Sequence, residues 1–161
     1  IVNLTPDSFH AESRVQSEAE IAERVVQMQA EGATLLDVGA CSTRPGSHDI
    51  PQDEEMARLR FGLSVVRRAV PDMILSVDTF RADVARMCVE EYGAAIINDI
   101  SAGQMDNRMF PTIAQLGVPD IIMHMQGTPQ DMQDSPHYDN LLKEVFYYFS
   151  EKSTKKIFSF F

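Results

Sequence analysis

The chain has 161 residues, 44% hydrophobic and 24% charged, with a formal net charge of −10. That length suits one domain with a proper core. The acidic balance excludes general nucleic-acid binding, which needs a basic surface, and no apolar run approaches a membrane span. It also means that a site for an anionic substrate must gain positive potential locally. No secretory signal is recognisable, and the two cysteines, Cys41 and Cys88, form neither a disulfide framework nor a zinc site. A reduced, cytoplasmic setting is the simplest expectation.

In chain order, Ile1-Val2-Asn3 reads as a short strand running into Thr5-Pro6-Asp7-Ser8-Phe9. A helix follows from Ser17 to Glu31. Ser17 and Glu20 have capping-box spacing, Ile21, Val25 and Met28 form one stripe, and Gly32 stops it. The second strand is Leu35–Ala40, and residues 41–52 form a loop rich in Ser, Pro and Gly. Gln52–Ala69 is predicted helical, with Met56, Leu59, Leu63 and Val66 on one face and Pro71 as its stop. Strand three, Met73–Val77, leads directly into a helix over Arg81–Tyr92, with Val84, Met87 and Cys88 inward and Gly93 at its end. Strand four is Ala94–Ile100, and a shorter helix, Asn107–Leu116, ends at Gly117 and Pro119. Strand five is Ile121–Met125, residues 127–138 form a loop, and Asn140–Ser150 starts another helix. Residues 152–161 carry no strand motif and are expected to be a frayed or aberrant tail.

Strand and helix alternate throughout, which predicts parallel βαβ units in a single α/β domain spanning residues 1–161. The strands are continuous apolar runs, as expected when both faces are buried. Each ends in polar residues: Asn3, Asp37 with Ser42-Thr43-Arg44, Asp78-Thr79, Asn98-Asp99, and His124 with Gln126. Polar groups repeated at strand carboxyl ends are the active-site pattern of a (β/α)8 TIM barrel. A full barrel takes about 250 residues. About five of its eight units fit here, so an incomplete barrel is expected.

A single buried aspartate is usually satisfied by backbone donors. Asp37 and Asp78 together, with Asn98 and Asn3 at equivalent strand ends, point instead to a polar ligand, because unpaired buried carboxylates are costly. Asp78 and Asn98 on adjacent strands can read the edge of a flat heterocycle such as an aminopyrimidine. Ser42-Thr43-Arg44-Pro45-Gly46 offers hydroxyls, a guanidinium and backbone N–H groups suited to a phosphate or diphosphate, though by itself it also fits a solvated turn. Asn3 and Asp37 could complete a magnesium site with a diphosphate, since Mg²⁺ usually takes few protein ligands. His124 lies between Met123 and Met125 and is assigned no acid–base role. Met123 is core filler or lines a flat aromatic pocket.

These residues, in this order, resemble dihydropteroate synthase of the folate pathway. The resemblance rests on Asn3-Leu4-Thr5-Pro6-Asp7-Ser8-Phe9, Asp37-Val38-Gly39-Ala40-Cys41-Ser42-Thr43-Arg44-Pro45-Gly46, Ser76-Val77-Asp78-Thr79, Ile97-Asn98-Asp99-Ile100 and Met123-His124-Met125-Gln126-Gly127-Thr128-Pro129. It implies a transferase that joins a dihydropterin carrying a hydroxymethyl diphosphate to para-aminobenzoate. By this resemblance Asp78 and Asn98 bond the pterin ring, Asp37 lies below it and Met123 lines the slot. Asn3 contacts the Mg²⁺ that rides with the diphosphate. Thr43 and Arg44 engage diphosphate, and Phe9 and Pro45 wall the para-aminobenzoate site that sulfonamides also use. Arg44, Asp37 and Thr43 are the residues expected to act in catalysis. The implied partners are small molecules, with neither nucleic acid nor membrane, and the full-length enzyme is expected to be a homodimer.

The family's later motifs (Asp-Pro-Gly-Phe-Gly, a pterin-binding Lys, and Ser-x-Arg-x-His) are not in this sequence. The expectation is therefore a fragment that is inactive alone. Two alternatives are a pterin-binding methyltransferase-type domain, against which the two diphosphate-suited loops speak, and a non-enzymatic half barrel.

Overall fold

A computed structural model describes residues 1–4, 18–41 and 50–158, with side chains as far as Thr154. Strands and helices alternate: β1 (Val2–Asn3), α1 (Glu18–Ala30), β2 (Leu35–Gly39), α2 (Gln52–Ala69), β3 (Ile74–Asp78), α3 (Ala82–Tyr92), β4 (Ile96–Asp99), α4 (Met109–Leu116), β5 (Asp120–Ile122) and α5 (Leu141–Phe158). The five strands form one sheet in the order β1-β2-β3-β4-β5, every pair parallel. A parallel pair needs a crossover long enough for a helix, and the amphipathic segments between the strands supply it.

The periodicities explain the packing. Leu36, Val38, Leu75, Val77 and Ile97, alternating along their strands, are at most 1% exposed and form the helix-facing side of the sheet. Ile21 and Val25 of α1, Leu59, Leu63 and Val66 of α2, Val84 and Cys88 of α3, and Met109 and Ile113 of α4 close over them in one cluster. Each fully buried side chain of this kind contributes about 1.5–3 kcal/mol. Burial also pushes the Cys88 thiol up to about 12, so it behaves as a small apolar group. At the opposite end from the strand carboxyl termini, Arg67 gathers four carbonyls. Its Nε donates to Tyr92 O at 2.7 Å, Nη1 to Met73 O at 2.8 Å and Pro71 O at 3.0 Å, and Nη2 to Gly93 O at 2.7 Å. The Gly93 carbonyl is available there because that residue caps α3 at φ 64°, a left-handed conformation that glycine adopts without penalty.

Two expectations need correction. The strands are not buried along both faces: on the face away from the helices Leu35, Ile74 and Ile121 are 37%, 49% and 50% exposed, because no described segment covers them. β5 ends at Ile122, so Met123 and His124 lie just beyond it. The helix expected to start over Asn140–Ser150 is α5, which runs on through Phe158. No Pro or Gly interrupts 151–158, Thr154 Oγ1 donates back to Ser150 O at 2.8 Å, and Lys152, 8% exposed, lays its ammonium 5.2 Å from the Tyr148 ring centroid. A lysine stem over an aromatic ring gives this stretch an inward face.

Candidate binding site at the strand carboxyl ends

The register sets the site. Asn3 pairs with Gly39, Gly39 with Asp78, Asp78 with Asn98, and Asn98 with Ile121. Partners in a parallel sheet point to the same face, so Asn3, Asp78 and Asn98 share one rung on the face away from the helices. Asp37 sits two residues before Gly39 on that same face, in register with Ser76. Met123 lies two residues past Ile121. Four residues singled out from sequence, Asn3, Asp37, Asp78 and Asn98, thus share one end of one face, and Met123 follows the end of β5. Phe9, Thr43, Arg44 and Pro45, like Thr5 to Ser8, Ser17, Ser42 and Gly46, lie outside the described residues.

The rung is short of partners. Asn98 Nδ2 donates to Asp37 Oδ2 at 3.2 Å across the intervening β3. Asp37 Oδ1 and the Ser76 hydroxyl are shielded and have no hydrogen-bond partner among the described residues. Burial, followed by the charges of Asp37, Glu55 and Asp99, pushes the Asp78 carboxyl from 3.8 up to about 7. Asp78 can therefore present either a carboxylate or a carboxylic acid near neutral pH. Gly39 leaves room beside it: a Cβ there would lie 3.3 Å from Asp78 Cβ and 3.4 Å from Oδ2, pressing on the carboxyl. An acid and a carboxamide on one rung can meet a planar ring whose edge alternates donors and acceptors.

A buried network behind the rung went unread in the sequence. Glu55 on α2 is 0% exposed; its Oε1 accepts from Thr79 Oγ1 at 2.7 Å and its Oε2 from Arg81 Nη1. Arg81 Nη2 donates to Ile50 O at 2.7 Å, and the Arg81 backbone N–H donates to Thr79 Oγ1 at 3.2 Å. The residue following Asp78 is thereby tied to the start of α2. The available signal was a glutamate on an apolar stripe, four residues before Leu59 and eight before Leu63.

At the other edge, Tyr148 of α5 donates its hydroxyl to Met123 O at 3.2 Å and accepts from Gln104 Nε2 at 2.8 Å. His124 packs edge-on against Tyr148, ring centroids 4.7 Å apart. A cleft of about 640 Å³ beside it, lined by His124, Gln126, Asn140 and Tyr148 among others, includes none of the rung residues. Among the described residues no group of three or more His, Cys, Asp or Glu side chains could hold a metal ion, and no helix is long and apolar enough to cross a membrane.

Residues 1–157 match the family described as pterin binding enzyme. The chain is 44% identical over 150 residues to the mitochondrial folate synthesis bifunctional protein of Pisum sativum, covering 90% of this chain and 29% of that protein. It is 36% identical over 152 residues to dihydropteroate synthase of Escherichia coli, covering 94% and 53%. The solved Yersinia pestis dihydropteroate synthase with a sulfonamide drug complex superposes with a TM-score of 0.88 at 34% identity, covering 98% of this chain and 56% of that one. Xanthomonas albilineans dihydropteroate synthase, solved with 4-aminobenzoic acid, superposes with a TM-score of 0.78 at 37% identity, covering 98% and 55%. The chain spans about half the length of these bacterial relatives. With its five parallel βα units arranged as an incomplete (β/α)8 barrel, the chain belongs to the pterin binding enzymes.

Proposed function

We propose that these residues supply the pterin-reading side of a dihydropteroate synthase, which condenses 6-hydroxymethyl-7,8-dihydropterin diphosphate with para-aminobenzoate. The observation that carries this reading is the rung of Asp78 and Asn98 with Asp37 beside it, joined by the Asn98–Asp37 hydrogen bond. Asp78 and Asn98 take the ring edge, Asp37 lies beneath the ring, and Met123 lines the slot. Thr43 and Arg44 take the diphosphate; Phe9 and Pro45 wall the para-aminobenzoate site. The methylene–oxygen bond to diphosphate breaks, the aniline nitrogen bonds to that carbon, and one proton leaves the nitrogen. The leaving group is already activated, so the fold must orient the reactants and stabilise developing negative charge.

Asn3 is the residue we assign to magnesium. It offers a hard carboxamide oxygen at the end of β1, on the Asp78 rung, and Mg²⁺ commonly takes few protein oxygens beside those of phosphate. When bound, the ion supplies charge neutralisation to the departing diphosphate. We place the enzyme in the cytoplasm and expect the full-length protein to be a homodimer. The 161 residues alone are expected to bind the ring without turnover.

Calorimetric titration of 6-hydroxymethylpterin into the chain tests the reading, with Asp78→Ala and Asn98→Ala beside wild type. Saturable binding weakened about 10- to 100-fold by each variant is expected for hydrogen bonds involving a charged or buried partner. Binding that ignores both substitutions, or none at all, overturns it. Fusing the chain to the later βα units of the Escherichia coli relative should give sulfonamide-inhibited product formation, which a methyl-transferring barrel would not show.

A further inference from the structure

Ser76 is a buried polar group with no present use. It is 1% exposed, and its hydroxyl has no hydrogen-bond partner among the described residues. Buried hydroxyls are nearly always bonded, and one that is not destabilises the fold. It is in register with Asp37 on the ligand-facing side of the sheet, and Asp37 Oδ1 is likewise shielded and without a partner. The other Asp37 oxygen is held by Asn98, whose amide crosses β3 on the face that carries Ser76 and Asp78. That bond occupies a donor that a bound ring would use. A ligand that engages Asn98 withdraws the amide and leaves Asp37 with neither oxygen partnered. The neighbouring hydroxyl can respond by a change of staggered rotamer.

We propose that Ser76 is a positioning residue: when a ring takes the Asn98 amide, the Ser76 hydroxyl donates to Asp37 and keeps that carboxylate aimed at the ligand. The proposal rests on the pterin reading above. It accounts for a buried serine hydroxyl that has no partner among the described residues.

The test is Ser76→Ala in the full chain, in wild-type and Asp37→Asn backgrounds. It reads the melting temperature without ligand and the Kd for 6-hydroxymethylpterin. The expected result is opposite signs: melting unchanged or raised because an orphaned hydroxyl is gone, and Kd raised about tenfold. In the Asp37→Asn background the Ser76 effect on Kd should shrink to near onefold, as coupling through one partner requires. A lowered melting temperature with unchanged Kd would make Ser76 purely structural and overturn the proposal. An undiminished tenfold loss in the Asp37→Asn background would mean direct ring contact and also overturn it. Wild type that binds with Ser76→Ala indistinguishable overturns this inference alone. Wild type that binds no pterin overturns the functional reading, and this one with it.

Discussion

Replacing Asp78 by Asn should stabilise the unliganded chain, and do so more as pH rises. Burial and the nearby charges of Asp37, Glu55 and Asp99 raise the Asp78 carboxyl from 3.8 to about 7. Below the lower value the group is protonated in both folded and unfolded chains, and folding leaves proton binding unchanged. Between the two values the unfolded chain releases the proton while the folded chain keeps it, so stability falls as pH rises, by about 1.4 kcal/mol per pH unit. Above the folded value the loss is complete, at roughly 4 kcal/mol. Asn has the same shape and no proton to lose. The gap between variant and wild type should therefore open from near zero at about pH 4 to a ceiling of roughly 4 kcal/mol at about pH 8. Urea denaturation of both proteins across that range measures it directly. A constant gap would show that the carboxyl titrates as an exposed aspartate does, and the argument from burial would fail. Ring binding should move the other way, Asp78→Asn weakening it, since stability has been given up here for a charge that a ligand can use.

Glu55→Ala should lower stability by about 3–5 kcal/mol, read from thermal melting, because it removes the buried counter-charge of Arg81 and the acceptor of Thr79. Glu55→Gln keeps an acceptor but removes an anion that acts on Asp78, so the Asp78 titration followed by carboxyl NMR should move to lower pH. An unmoved titration would refute the coupling. Tyr148→Phe should cost about 1 kcal/mol through the lost hydrogen bonds to Met123 O and from Gln104, and should raise hydrogen exchange locally where β5 ends.

The helices and strands were legible because their signals are local. A 3.6-residue apolar stripe and a terminal breaker, Pro71 after α2 and Gly93 after α3, marked these helices, and α2 runs from Gln52 to Ala69 as read. The rung was legible for a different reason: chemistry-bearing residues had been placed at equivalent ends of otherwise apolar strands. The network around Glu55 was not, since its three members are scattered and each looks ordinary alone. A glutamate near a helix start, a threonine after a strand and an arginine before a helix become a unit only once α2 and α3 pack side by side. The inward face of the last turns of α5 had no local signal, since it arises from Lys152 folding its stem against Tyr148. The assumption of strands buried on both faces failed at Leu35, Ile74 and Ile121, since burial depends on which segments cover a face as well as on composition.

The sequential strand order has a consequence for how the polypeptide acquires its site. Among the described residues every strand pairs only with its immediate chain neighbours, so β2, β3 and β4 can each dock on the strand made just before it. The Asp37–Asn98 contact spans 61 positions and needs only β2, β3 and β4 in place. That pair can thus form as soon as β4 has docked, while synthesis of α4 onward is still under way.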